Sequence, residues 1–289
     1  MTRFPRTEVA GVSLPRLLMG TNWVLGYSHT STSADAMIRS RYANREAVAD
    51  LVEAYLDYDI DAMMAPFAGN QVLLDGIHMA EDRTGKKVTL IDTPIIDVSD
   101  TAQGRQAAME QIARGRAAGA AFCLIHHSSA EKLVSKLHGT LDRLPDYLDM
   151  IRQQDMIPGL SAHMPELILY SDQNNYDVQT YIQLFNCAGF LMQVEVEYIH
   201  KVIWQAKKPV MTIKAMAAGR VSPFVGLTFS FATLRPCDMV TLGAHTPAEV
   251  HEDVEIALAA IERRPPQIGG RSSPNKAAIP GADKYSQAH

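Results

Sequence analysis

Short apolar runs alternate along the chain with longer segments of helical spacing. The runs occupy residues 16–23, 61–67, 87–95, 120–127, 157–164, 180–186, 209–216 and 238–245. Most are apolar nearly throughout instead of alternating, the pattern of parallel strands covered on both faces. The segments between them carry helix-start signals. Asn44 is placed to cap a helix over 45–58, and Asp100 with Gln103 forms a candidate capping box ahead of 107–118. Thr246-Pro247-Ala248-Glu249 supplies a cap, a first-turn proline and a box partner ahead of 250–262. Eight strand–helix units predict an α/β fold, a single-domain (β/α)8 TIM barrel over residues 1–263. A doubly wound open sheet is the alternative. It usually announces itself with a Gly-rich first turn, and Gly20-Thr21-Asn22-Trp23-Val24-Leu25-Gly26 is not GxGxxG. Residues 26–42 read as a long polar loop on the top face, suited to cover a site, and 264–289 as a flexible tail rich in Pro, Gly, Ser and Lys.

Composition changes this picture mainly by exclusion. The 289 residues hold 27 Lys+Arg against 32 Asp+Glu, and the net charge of −5 leaves no basic footprint for nucleic acid. Three scattered cysteines, Cys123, Cys187 and Cys237, make neither a disulfide framework nor a CxxC metal knuckle. The sequence shows no secretory leader and no apolar run of the roughly 18 residues that a membrane span requires, so a cytoplasmic protein without membrane contact is expected. Fourteen methionines and the apolar stretch 224–234 are compatible with a homo-oligomer contact, although core packing is the plainer account.

In such a barrel the chemistry gathers at the carboxyl ends of the strands. The polar residues closing the runs are Asn22, Asp92, His126 with His127, Ser161 with His163, Gln183, Lys214 and His245. Strand parity places Met211 and Ile213 toward the helices and turns Thr212 and Lys214 inward. A lysine at the mouth would be partly desolvated and able to bind or polarise a substrate. Only one of His126 and His127 can face inward from a strand, and with His163 it is a candidate to move protons. Asp92 would orient a histidine or act as base; with His126 and His163 it offers two nitrogens and a carboxylate to a divalent metal, without HExxH or HxH spacing. Asn22, Trp23, Tyr27 and His29 combine rings with polar groups and are candidates to hold the substrate, joined by Ser161 and Gln183. His78, His138, His200 and His251 read as surface residues.

Several segments carry a family likeness. Leu18-Met19-Gly20-Thr21-Asn22-Trp23, Leu124-Ile125-His126-His127, Gly159-Leu160-Ser161-Ala162-His163-Met164-Pro165-Glu166, Ile182-Gln183 and Lys208-Pro209-Val210-Met211-Thr212-Ile213-Lys214, followed by Ala218-Gly219-Arg220, resemble in order the aldo-keto reductase superfamily. The resemblance implies a catalytic role for His126 and nicotinamide contacts for Ser161 and Gln183. It departs elsewhere. Where those enzymes place an aspartate and then a tyrosine acid this chain reads Ala65-Pro66-Phe67-Ala68-Gly69-Asn70, and Asp92-Thr93 stands where a lysine is expected. Glu249, Glu252 and Asp253 also crowd the helix start that would receive a 2′-phosphate, which makes NADP doubtful.

The leading expectation is therefore an enzyme using acid/base chemistry, with or without a metal, on a small polar carbonyl or polyhydroxy compound, of isomerase or lyase type. An NAD(P)-dependent oxidoreductase is the first alternative. A non-catalytic barrel used for binding is the second.

Overall fold

The computed structural model of the chain describes residues 3–269. Eight parallel strands, β1 (Leu17–Gly20), β2 (Ala62–Ala65), β3 (Thr89–Asp92), β4 (Phe122–Ile125), β5 (Ile157–Ala162), β6 (Thr180–Leu184), β7 (Val210–Ile213) and β8 (Met239–Leu242), close into a barrel in chain order. Register at the closing seam sets Leu17 opposite Val240 and Met19 opposite Leu242. The outer layer comprises α1 (Arg45–Leu56), α2 (Gln71–Thr84), α3 (Ala102–Ala117), α4 (Leu144–Gln153), α5 (Glu166–Asn174), α6 (Val196–Gln205), α7 (Pro223–Thr233) and α8 (Pro247–Glu262). Each anticipated run contains one strand, so the barrel reading holds.

Two apolar cores follow from the closure. Leu18, Met64, Ile91, Phe122, Leu124, Ile182, Met211 and Met239 fill the barrel interior. The other faces of the strands pack on the helices through residues such as Leu17, Met19, Met63, Leu160 and Val240. With both faces buried, the strands have no reason to alternate polar and apolar positions. An amino-terminal hairpin, Arg6–Val9 against Val12–Pro15, sends Val9 and Leu14 into the interior cluster and covers the barrel floor. At that end a buried clasp joins strands. Asp238 accepts hydrogen bonds from the Arg235 guanidinium and from the Val210 backbone, while Arg16 donates to the Asp238 and Arg235 carbonyls.

Asn44 and Thr246 cap α1 and α8 as expected, each accepting from a backbone N–H three residues on. The cap of α3 is Thr101, accepting from Gly104, and not the Asp100 box. Residues 26–42 are only partly a loop, because Ser31 caps a helix over Thr32–Arg41. Leu227 and Phe231 of α7 are buried in the core, whereas Phe224 and Val225 stay half exposed. All three cysteines are free, and among the described residues no helix is long and apolar enough to cross a membrane. Most of the expected tail, from residue 270 on, lies outside the described residues.

Candidate active site

The carboxyl ends of the strands surround a cavity of about 500 Å³, within the range of small-molecule sites. Asn22, Trp23, Tyr27, His29, His126, Ser161, His163 and Lys214 all line it, together with His127, Thr21, Thr93 and Thr241. Two expected members do not. No carboxylate lines the cavity among the described residues.

Asp92, the last residue of β3, and Gln183, next to last in β6, point away from the cavity. Ile91 and Ile182 occupy the interior, so strand parity turns the next residue toward the helices. Asp92 is 1% exposed; its Oδ1 accepts from the Phe67 N–H, and its Oδ2 has no hydrogen-bond partner. Helix α3 approaches so closely that a Cβ on Gly115 would sit 2.1 Å from that oxygen. Gln183 is fully buried, its amide directed at the His163 and Leu184 carbonyls. Neither side chain reaches a ligand in the cavity, which removes Asp92 from the expected acid/base and metal sets and Gln183 from the expected nicotinamide contacts.

Burial raises the Asp92 carboxyl to a pKa of about 6, against the opposing hydrogen bonds from the Phe67 and Thr93 backbone. A carboxyl whose folded pKa lies above its unfolded value weakens the fold at high pH. Stability is recovered as pH falls from about 6 toward 3.8, because the folded chain takes up the proton first. The contribution is about 2–3 kcal/mol. Asp92→Asn is therefore expected to raise urea stability at pH 7.5 by about 1–2 kcal/mol, less than the full term because the new amide N–H₂ is also buried. The variant should lose the rise between pH 6 and 4. A lower urea midpoint at pH 7.5 would contradict this account.

Lys214 reaches the mouth by a different route from the one parity implied. Met211 and Ile213 point into the barrel, and Thr212 points outward to donate to the Met239 carbonyl. Lys214 follows the strand with φ +64°, and that left-handed turn breaks the alternation and brings its side chain to the cavity. Its Nζ donates to His29 Nε2 at 2.8 Å, and it makes no ion pair among the described residues. Burial lowers its pKa to about 8. Asn22 Nδ2 lies 3.0 Å from the same imidazole nitrogen. With two donors on Nε2, His29 is neutral and carries its proton on Nδ1. Burial and then Lys214 lower its pKa, in agreement. The loop is held by Ser28, whose N–H and Oγ both donate to Asp35 Oδ1.

Both histidines of the 126–127 pair line the cavity, contrary to the expectation of one, because the strand has ended and a short helix, His127–Ala130, begins. His126 caps that helix. Its Nδ1 accepts from the Ser128 N–H and lies 2.8 Å from Ser128 Oγ, so the proton of the neutral ring sits on Nε2. Burial, then His127, brings the His126 pKa to about 4, and the same two causes bring His163 to about 4. The His163 and His127 rings stack at 3.8 Å. Trp23 meets the His245 ring edge-on at 5.6 Å.

No protein-family model matches the chain, and no curated protein matches it. Solved structures do. A Pseudomonas aeruginosa chain assigned as an aldo-keto reductase superposes with a TM-score of 0.60 at 15% identity, covering 89% of this chain and 95% of that one. Glycerol dehydrogenase from Gluconobacter oxydans gives 0.57 at 12% identity, over 93% and 98% of the two chains. A Klebsiella pneumoniae aldo-keto reductase in complex with NADPH gives 0.57 at 15% identity, over 94% and 99%. At such identities the likeness speaks for architecture alone: the chain is a closed (β/α)8 barrel that superposes on these aldo-keto reductases over nearly their whole length.

Proposed function

We propose that the chain is a nicotinamide-dependent oxidoreductase acting on a small polar carbonyl compound, with NADH preferred over NADPH. The observation that carries this reading is a lysine with no ion-pair partner in a cavity that no carboxylate of the described residues lines, alongside a neutral histidine that offers only an N–H. Such a site favours an electron-rich oxygen and stabilises the negative charge that develops on it during reduction. The shared barrel architecture, which an NADPH-bound reductase also has, supports the same reading.

The residues fit the cofactor in part. Ser161 is buried at the cavity wall, where it would hold the carboxamide. Lys214, Ala217, Ala218 and Gly219 have left-handed backbone, and the segment from Lys214 to Arg220 would face the cofactor phosphates. At the start of α8 the Glu249 carboxylate accepts from the His245 N–H, and that negative charge disfavours a 2′-phosphate. When bound, the nicotinamide supplies the hydride. Lys214 donates the proton to the substrate oxygen, His126 Nε2–H holds that oxygen in place, and Asn22 and His29 keep the lysine directed inward.

Titration with NADH and NADPH, followed by quenching of reduced-nicotinamide fluorescence, tests the reading. NADH is expected to bind in the micromolar range and NADPH at least tenfold more weakly. Absence of binding by either would overturn it in favour of a second reading, proton transfer of isomerase or lyase type in the same cavity. One observation favours that second reading: Ala65 and Pro66 line the cavity where the resembling enzymes carry their acidic residues.

A further inference from the structure

A second group of side chains, two of them on the cavity wall and a carboxylate behind these, has no part in the proposed reduction. His127 and Glu131 lie four residues apart on the short helix after β4 and the turn Glu131–Leu133 that continues it, which puts them on one face. His163 stands just beyond β5 and meets them from the neighbouring unit. One Glu131 oxygen is fixed by the backbone N–H groups of His163 and Met164, at 2.6 and 3.0 Å. The other oxygen lies 3.8 Å from His127 Nδ1. The His127 and His163 rings stack at 3.8 Å with planes 18° apart, and among the described residues the His163 ring makes no hydrogen bond. One donor atom from each of the three side chains falls within 4.8 Å of the others.

We infer that His127, Glu131 and His163 form a site for one divalent transition-metal ion of the zinc class, open to the cavity that both histidines line. Two imidazoles and a carboxylate are a donor set for zinc, cobalt or nickel in preference to magnesium or calcium. Three protein ligands leave a fourth position for water or a substrate oxygen. Bonds of about 2.0–2.2 Å bring donors to roughly 3.3 Å from one another, so binding draws the set together by about 1 Å and opens the ring stack. The carboxylate is already anchored through its other oxygen and needs little ordering. The set differs from the one the sequence implied. His126 has its Nδ1 engaged by Ser128, and Asp92 lies behind the strand. Metal binding here is independent of the nicotinamide reading and is measured without nucleotide.

The full chain is stripped with EDTA, dialysed and titrated calorimetrically with zinc chloride alone, then with magnesium chloride. One zinc per chain with a Kd of about 10 µM or tighter is expected, with no magnesium binding, a rise of several degrees in Tm on adding zinc, and a visible cobalt(II) spectrum of low coordination number. His163→Ala should weaken zinc at least tenfold. Glu131→Gln should do the same while its amide oxygen still accepts the two backbone N–H bonds, so folding is preserved. His78→Ala, on α2 away from the cavity, serves as the control for surface histidines and should bind as the parent does. Absence of zinc binding by the parent chain, or equal binding by folded His163→Ala and Glu131→Gln variants, would overturn the proposal.

Discussion

Lys214→Met is expected to lower kcat/KM for NADH-dependent reduction of short hydroxyaldehydes and ketones by about 10²–10³-fold, the usual worth of a positioned proton donor. NADH affinity should change far less, because the ammonium acts at the substrate oxygen. The variant is expected to fold and to show an equal or higher Tm, since burial of an ammonium without a carboxylate opposes folding and methionine keeps the apolar stem. The parent pH profile should carry the same signature. With the lysine at about 8, its ammonium form prevails below that value, and kcat/KM should fall as pH rises through it. The groups that face it are His29 in direct contact and His163, which feels the ammonium at longer range. His29 and His163 are neutral there and do not supply the transition. A profile that rises above pH 8 would instead make the free amine the working form. It would move the assignment to proton abstraction, and a Lys214→Met variant with full turnover would remove the residue from the mechanism.

The barrel was legible because eight apolar runs with helix-start signals between them leave few ways to close a sheet. The direction of each side chain was not, for a reason that lies in the fold itself. Strands buried on both faces carry Met211 and Ile213 inside and Val210 and Thr212 outside with no difference in polarity large enough to reveal parity. Asp92 and Gln183 therefore read as inward and lie outward, while Lys214 reads as inward by a parity that fails and arrives there by its left-handed backbone. Nothing in the residue type marks that turn, since left-handed lysines are uncommon. His127 is half hidden in the sequence and Glu131 wholly so, because a helix begins at the strand end and i,i+4 spacing takes over from alternation. The floor hairpin did have a signal: Ala10-Gly11 between Glu8-Val9 and Val12-Ser13 is a two-residue turn, and both residues have positive φ.

Asp238→Ala is expected to cost about 3–5 kcal/mol of stability, the range for removing one partner of a buried ion pair. Asp238 is fully buried and receives two guanidinium bonds and a backbone bond from Arg235, at 2.9, 2.7 and 3.1 Å, besides the bond from Val210. The alanine would leave the Val210 N–H without its acceptor and the Arg235 guanidinium without its counter-charge. That guanidinium also donates to the Ala206 and Lys208 carbonyls, so its loss of a partner reaches the end of α6 and the entry to β7. For a chain of this size the Tm should fall by about 10 °C. Arg235→Met combined with Asp238→Ala should cost less than the two single changes added together, because the second removal takes away the stranded charge. Since the clasp lies at the floor and the cavity at the opposite rim, NADH affinity of the folded Asp238→Ala protein at low temperature should match the parent. Equal Tm values for the parent and Asp238→Ala would show that water replaces the carboxylate there at little cost, and that closure of the barrel between β7 and β8 rests on strand pairing alone.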